Sequence, residues 1–372
     1  MTSVQTVDIV ATAALPWRTG TAVLALLRAF YLARRGLDVH LYLPWIVPWQ
    51  QRELFGDAGA FDTEEEQAAH IRSSLPEPGC PDLHLRFYPA RYWPSLGSIL
   101  PACALPSRLR PCDWLILEEP EHLNWTRPWS RYRSLSPRVT GMVLTNYRYY
   151  CAHAFPAVRW VADLLERYDR WLIRRLCDHC IVLGNSITGL PDAGRFLGSG
   201  VHPKFFSQAG RARTGLYFMG KLIWEKGFRD LVDLLAAGGQ REIDVFGRGR
   251  DQDAIADYAR ERGVRLYFKG VSTRPALDIA RYKIFVNPSR SEGLCTTTAE
   301  ALAQRKFVII PRHASNALYD PFGNALVYDS PETFQACLRH AMTHQPEVDP
   351  LEESLSWEAA IDRLLADHGL PR

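Results

Sequence analysis

Short apolar runs and amphipathic stretches alternate along this chain, break off at a glycine-rich interruption, and then start again. Residues 7–11, 39–43, 83–88, 114–117, 139–144 and 180–183 read as buried strands, and residues 21–34 and about 158–176 as helices. Strands this short and this uniformly apolar, separated by helices, call for parallel sheets covered on both faces. The stretch from Gly194 to Gly215 is polar, contains Gly198-Ser199-Gly200, and reads as a linker. Beyond it, strands recur at 215–219, 243–246, 265–269, 284–287, 307–310 and 326–328, and a last amphipathic helix covers 356–368. The fold class expected is α/β, with two doubly wound parallel-sheet domains facing a central cleft. The expected division is residues 1–200, residues 201–350, and a C-terminal helix in 351–372 that packs back on the first domain. A chain of 372 residues fits this division, because a single core rarely grows beyond about 250–300 residues. Ligands of such sheets bind outside the carboxyl ends of the strands.

Composition removes several alternatives. No apolar run approaches the roughly 20 residues of a spanning helix, and the N-terminus lacks a basic-then-apolar signal pattern. Eight cysteines are scattered, and Cys177-Asp178-His179-Cys180 is the one close pair. Without a second ligand pair it reads as buried and reduced rather than as a zinc or redox motif, so a reducing compartment is expected. Net charge is only +3, yet its distribution is lopsided. Residues 1–200 carry 21 arginines and no lysine, and nine of the 11 tryptophans. Candidate segments for an anionic membrane surface are Arg91-Tyr92-Trp93, the run from Trp125 to Arg133 (with Arg127, Trp129 and Arg131), and the helix with Trp160, Arg167, Arg170, Trp171, Arg174 and Arg175. Nucleic acid is not expected as a partner, since no recognition module accompanies the arginines.

Five motifs stand where strands end. In Ser291-Glu292-Gly293-Leu294-Cys295-Thr296, followed by Glu300, one glutamate lies in the loop before a helix expected from about Leu294 and the other on its second turn. Eight residues of helix advance about 12 Å and turn about 80° beyond two full turns. Two carboxylates so placed can hold two hydroxyl-bearing parts of one elongated ligand. The N–H groups at the helix start can hold an anion between them. Gly220-Lys221-Leu222-Ile223-Trp224-Glu225-Lys226-Gly227 puts two cations five positions apart in a turn, which suits a diphosphate. Gly247, in Phe246-Gly247-Arg248-Gly249, ends another strand and fits a turn bordering a nucleotide base or pyrophosphate, as any tight strand–helix turn can. In the first half, Thr19 and Gly20 open a helix where a phosphate can approach the backbone. That turn lacks the Gly-x-Gly-x-x-Gly pattern, which weighs against a nicotinamide cofactor. Glu118-Glu119-Pro120-Glu121-His122-Leu123-Asn124-Trp125 directly follows an apolar strand, and can hold sugar hydroxyls or position an acceptor hydroxyl. Paired acids can also mean glycoside hydrolysis, but hydrolysis has no need of paired lysines and a helix-held anion. Asp251-Gln252-Asp253 reads as acids at a helix start, and no metal is expected.

In their order along the chain the motifs resemble the family 4 retaining glycosyltransferases of the GT-B fold, which has two Rossmann-like domains. Within that group, Thr12-Ala13-Ala14-Leu15-Pro16-Trp17-Arg18-Thr19-Gly20-Thr21, the Glu118–Trp125 string, Thr145-Asn146-Tyr147, Val201-His202-Pro203-Lys204-Phe205 and Ser356-Trp357-Glu358 are similar to the digalactosyldiacylglycerol synthase family. The resemblance spans about residues 7–366. It implies retaining transfer of galactose from UDP-galactose to monogalactosyldiacylglycerol, with an α(1→6) link. It implies that Lys221 and Lys226 bind the diphosphate, Glu292 the donor sugar and Glu300 the uridine ribose, and that Gly20 lets the phosphate or sugar approach. His122 is the histidine nearest to the sugar-contacting histidine of many family 4 enzymes, and Leu144 stands where plant synthases carry histidine before Thr-Asn-Tyr. A peripheral, cytoplasm-facing location follows from a lipid acceptor, on the plastid envelope in a photosynthetic eukaryote. Other readings are a different hexose or acceptor, or a non-catalytic lipid- or nucleotide-binding protein of the same fold.

Overall fold

The computed structural model describes residues 4–17, 19–56, 59–77, 79–80, 82–154, 159–183, 199–206, 214–289, 295–314 and 316–370. The chain divides into two compact units, one of residues 1–199 with 360–372 and one of residues 200–359.

The first unit runs β1 (Thr6–Val10), α1 (Gly20–Ala33), β2 (Asp38–Trp45), α2 (Pro48–Phe55), α3 (Glu64–Ser73), β3 (Leu83–Trp93), β4 (Ser98–Pro101), β5 (Trp114–Glu118), α4 (Pro120–Asn124), β6 (Val139–Val143), α5 (Tyr147–Ala154), α6 (Arg159–Leu176) and β7 (His179–Val182). Its sheet order is β4-β3-β2-β1-β5-β6-β7. β1, β5 and β6 are buried over nearly their whole length, as their Val, Ile and Leu runs demand. All pairings are parallel except β3 with β4. That antiparallel edge was not expected. β3 continues to Trp93 through Pro89, and the turn over residues 94–97 folds β4 back on it.

The second unit contains α7 (Pro203–Phe206), β8 (Leu216–Met219), α8 (Phe228–Ala236), β9 (Glu242–Phe246), α9 (Gln252–Glu261), β10 (Arg265–Gly270), α10 (Pro275–Asp278), β11 (Ile284–Val286), α11 (Thr296–Ala303), β12 (Phe307–Pro311), β13 (Ala325–Tyr328) and α12 (Pro331–Thr343). Its sheet order, β10-β9-β8-β11-β12-β13, is wholly parallel. Phe218, Phe228, Leu231, Val245, Ile255, Ile309 and Phe334 fill its core. The last helix, α13 (Trp357–Asp367), begins in the second unit and passes into the first at Ala360.

In each sheet the winding reverses beside the first strand of that unit: between β1 and β5, and between β8 and β11. The loops leaving those strands are where a ligand of a doubly wound sheet binds. Every motif singled out at a strand end lies on one of them or beside it.

Candidate active site

At the carboxyl edge of the second sheet, three loops are pressed together backbone to backbone. The Gly220 N–H donates to Phe246 O (3.0 Å), the Leu222 N–H to Arg248 O (3.0 Å) and the Gly247 N–H to Gly270 O (2.8 Å). Gly247 has φ +134°, and a Cβ there would stand 1.9 Å from Gly220 O, so no other residue fits. Gly227 has φ +81°, and a Cβ there would stand 2.5 Å from Pro288 O. The lysine turn is thereby clamped between the end of β9 and the loop after β11. Asp251 helps, accepting the Trp224 N–H at Oδ2 (3.1 Å). Lys221 is exposed and Lys226 half-buried at the rim of this turn.

The loop after β11 is anchored by buried Asn287. Its Nδ2 donates to Cys295 Sγ (3.2 Å) and Thr298 Oγ1 (3.3 Å), and its Oδ1 accepts the Ser289 N–H (3.1 Å). Tyr319 holds the Cys295 carbonyl from the other side (2.6 Å). α11 starts at Thr296, two residues later than expected, with Cys295 as its N-cap. The Cys295 side chain makes no capping bond to the first N–H groups of α11, and such groups at a helix start can hold an anion. Glu292, Gly293 and Leu294 lie outside the described residues. Glu300 lies on the second turn of α11 and keeps part of its surface open. Burial of its carboxyl pushes its pKa up to about 8, with Lys204 pulling the other way. At neutral pH it is mostly protonated.

At the carboxyl edge of the first sheet, the loops after β1, β5 and β6 converge on Glu119. Thr12 Oγ1 donates to its Oε2 (2.8 Å), and the Tyr147 hydroxyl (3.0 Å) and Thr145 Oγ1 donate to its Oε1. Glu119 holds a left-handed backbone, φ 56° and ψ 65°, which is costly for a residue with a side chain, at roughly 1–3 kcal/mol. Its neighbour Glu118 is fully buried against Arg28 of α1. Burial pushes the Glu118 pKa up to about 7, with Arg28 opposing and Glu119 adding to the rise.

His122 lies on α4, nearly parallel to the Tyr147 ring (centroids 5.8 Å apart, planes 14°) and edge-on to Trp125 (4.8 Å). Burial lowers its pKa against the pull of Glu119, so the ring is neutral, and its Nδ1 is buried without a partner. Glu121, on the same short helix, is buried with no hydrogen bond to either oxygen, and burial raises its pKa well above the carboxylate range. Trp125 is tied to α6 through Asp169 Oδ1 (2.8 Å) and the Tyr168 hydroxyl (3.0 Å). Leu144 is buried where β6 runs into Thr145. Gly20 is the first residue of α1, and Thr19, its N-cap, accepts the Ala22 N–H (3.2 Å). A Cβ on Gly20 would meet nothing within 4 Å. The protein itself therefore makes no demand for glycine there.

Two features went unread in the sequence: Glu119 as the meeting point of three loops, and the Arg28–Glu118 pair beneath it. Arg28 left a trace, as the one charge in the run from Ala22 to Ala33.

Residues 213–344 match the family model described as glycosyl transferases group 1. The chain is 36% identical over 384 residues to digalactosyldiacylglycerol synthase 1, chloroplastic, of Lotus japonicus, covering 96% of this chain and 48% of that protein. It is 32% identical over 395 residues to digalactosyldiacylglycerol synthase 2, chloroplastic, of Arabidopsis thaliana, covering 99% of this chain and 82% of that protein. The chain spans about half the length of the synthase 1 relatives it matches. Among solved structures, Anabaena Alr3699/HepE in complex with UDP-glucose aligns with a TM-score of 0.65 at 12% identity, over 98% of this chain and 99% of that one. The lipopolysaccharide outer core galactosyltransferase WaaB aligns with a TM-score of 0.60 at 12% identity, over 98% and 100%. The fold is GT-B, with two Rossmann-like domains.

Proposed function

We infer that this chain, which belongs to the digalactosyldiacylglycerol synthase family, transfers galactose from UDP-galactose to monogalactosyldiacylglycerol to give digalactosyldiacylglycerol. The observation that carries the reading is the match to synthases of that name over 96–99% of this chain. The loop geometry fits it.

In the second unit, Lys221 and Lys226 neutralise the donor diphosphate, and the N–H groups from Gly293 through Leu294, Cys295 and Thr296 at the head of α11 take its oxygens. Glu292 holds the galactose hydroxyls and Glu300 the ribose hydroxyls, while Gly220 and Gly247 keep the adjoining backbone low enough for the nucleotide. In the first unit, the space over Gly20, behind the Thr19 cap, is open to a phosphate or a sugar. Neutral His122 offers a hydrogen bond to a sugar hydroxyl. Glu119 acts as a positioning residue, fixing the Thr145 and Tyr147 hydroxyls. Transfer breaks the bond from the sugar C1 to the diphosphate oxygen, and UDP leaves with the electron pair. The acceptor hydroxyl bonds C1 on the same face and gives its proton to a diphosphate oxygen. The protein supplies position and leaving-group stabilisation, and no metal is invoked.

A lipid acceptor requires a membrane-facing surface, and no helix among the described residues is long and apolar enough to cross a bilayer. α6 presents Trp160 (62% exposed), Leu164 and Trp171 along one face, with Arg167, Arg174 and Arg175 beside them. Trp129 (68% exposed) joins them, edge-on to Trp171 and with the Arg175 guanidinium 4.5 Å from its ring centre. Aromatic rings at the lipid boundary and guanidiniums on anionic headgroups make this a peripheral docking face. We place it on the cytoplasm-facing plastid envelope in a photosynthetic eukaryote. The test is purified protein with labelled UDP-galactose or UDP-glucose and monogalactosyl lipid, read by lipid chromatography. Galactose should appear in a two-sugar lipid, and Lys226→Ala and Glu292→Ala should each remove most of it. Glucose transfer alone, no transfer, or unchanged turnover in both variants would reject the reading.

A further inference from the structure

We propose that His179, Asp367 and His368 bind one divalent transition-metal ion of the zinc class, at the edge of the first sheet opposite the catalytic loops. His179 begins β7, and Asp367 and His368 stand at the end of α13, both within the first unit. One ligand atom from each of the three lies within 4.8 Å of the others. Bonds of about 2.0–2.2 Å to nitrogen and oxygen bring tetrahedral ligands to about 3.5 Å apart, so small side-chain movements complete the set. His179 Nε2 and Asp367 Oδ2 are already 2.7 Å apart.

The surroundings suit a cation. Asp367 has no arginine or lysine partner among the described residues; its one ion-pair partner is His179. The last carbonyls of α13 add the negative end of an eleven-residue helix. His368 is oriented from behind, with Nε2 3.2 Å from Thr140 Oγ1, which also accepts Trp114 Nε1–H (2.9 Å). Metal-bound histidines are commonly fixed by such an oxygen on the ring's other nitrogen. That contact leaves Nδ1 of His368 for the ion. The Trp114 ring, 4.5 Å from the His368 ring, holds its plane. Arg138 works against the site: its guanidinium donates to the His368 carbonyl (3.1 Å), and its charge has to be outweighed by Asp367 and the helix end.

A second trio, Asp38, His40 and His84, is as compact. There Arg110 already holds Asp38 Oδ2 (3.0 Å) and Asp8 Oδ1 (3.1 Å), so the Asp38 carboxylate is already paired with a guanidinium. It serves as the internal control. Imidazole and carboxylate together favour zinc or a neighbouring transition ion over magnesium or calcium. Bound there, the ion would fasten the end of α13 to the starts of the strands on which it packs.

The experiment uses the full chain, stripped with chelator, and titrates Zn²⁺ by calorimetry and by thermal unfolding. One ion per chain is expected, with a rise in Tm on binding. Asp367→Asn, at an exposed position, should weaken binding roughly tenfold or more and abolish the Tm rise, and His179→Gln should do the same. His84→Gln should change neither. Failure to take up one equivalent, uptake unaltered by Asp367→Asn, or uptake lost in His84→Gln would overturn the assignment. Circular dichroism confirms that each variant is folded.

Discussion

Replacing Arg28 with methionine tests the electrostatics beneath the site. Arg28 and Glu118 are both 0% exposed, and they form an ion pair inside the first unit. The pair is poorly satisfied otherwise, since Arg28 Nε and one terminal nitrogen, and Glu118 Oε2, have no partner. Methionine keeps the unbranched stem and removes the charge, so a bare carboxylate is left in the core. Removing one partner of a buried pair costs about 3–5 kcal/mol. A loss of about 3 kcal/mol or more at pH 7 is expected.

The sign of the pH dependence is fixed by the direction of the shift. The folded-state pKa of Glu118 lies above its unfolded value, so between the two the folded chain holds a proton that the unfolded chain releases. Stability therefore falls as pH rises from about 4.5 upward, and the Arg28→Met penalty should shrink markedly at pH 5. Arg28→Met with Glu118→Met should recover most of the loss, because an apolar pair of similar volume replaces an ion pair at little cost. Urea unfolding, with hydrogen exchange on β1 and β5 to assign the change to the first unit, measures all three. The reasoning fails if Arg28→Met costs less than about 1 kcal/mol at pH 7. It fails equally if the penalty is the same at pH 5, or if the double variant is as unstable as the single.

The remaining expectations are shorter. Glu300 titrates near pH 8 in the free protein, and accepting two ribose hydroxyls requires its ionised form. UDP affinity should therefore rise by up to about tenfold per unit from pH 6 to pH 8, and Glu300→Gln should flatten the profile; a flat profile in the parent protein rejects the ribose role. Gly247→Ala forces a Cβ against Gly220 O and should both destabilise the second unit by about 2 kcal/mol or more and weaken UDP binding, read by urea unfolding and calorimetry; an unchanged midpoint would contradict the clamped loops. Changing Trp129, Trp171 and Arg175 to serine should lower sedimentation with anionic vesicles while leaving UDP binding alone, and parent-like sedimentation would exclude this face.

The parallel architecture was legible because its signal is local: runs such as Trp114-Leu115-Ile116-Leu117 are too apolar for any strand but one buried on both faces. The lysine turn and Glu300 were legible for a similar reason, since spacing alone puts them at strand ends and helix starts. The start of α11 at Thr296 was missed by two residues because Asn287, eight positions before Cys295, anchors the head of the helix through Cys295 Sγ and Thr298. β4 was missed because its pairing depends on a proline-containing strand continuing past Pro89.

What stayed hidden in residues 118–122 has a different cause. Four of the five residues there break a local rule, and for Glu118 and Glu119 the break is repaired only by chain more than 20 residues away. Glu119 takes a backbone that disfavours side chains, and Thr12, Thr145 and Tyr147 hold it. Glu118 carries a charge into the core, and Arg28 of α1 meets it. Glu121 and His122 are buried with polar atoms unpartnered, and burial keeps both uncharged. A stability-optimised sheet edge would place apolar residues at these positions. Violations gathered at one strand end, at the point where the sheet's winding reverses, are the mark of a site whose geometry is held at a cost in stability. Hence the string Glu118-Glu119-Pro120-Glu121-His122, unreadable as structure, still marks the strand end where the candidate site of the first unit lies. The same reasoning makes Arg28, fully buried beneath the site, a residue whose loss should disturb turnover through Glu118 and its neighbour Glu119.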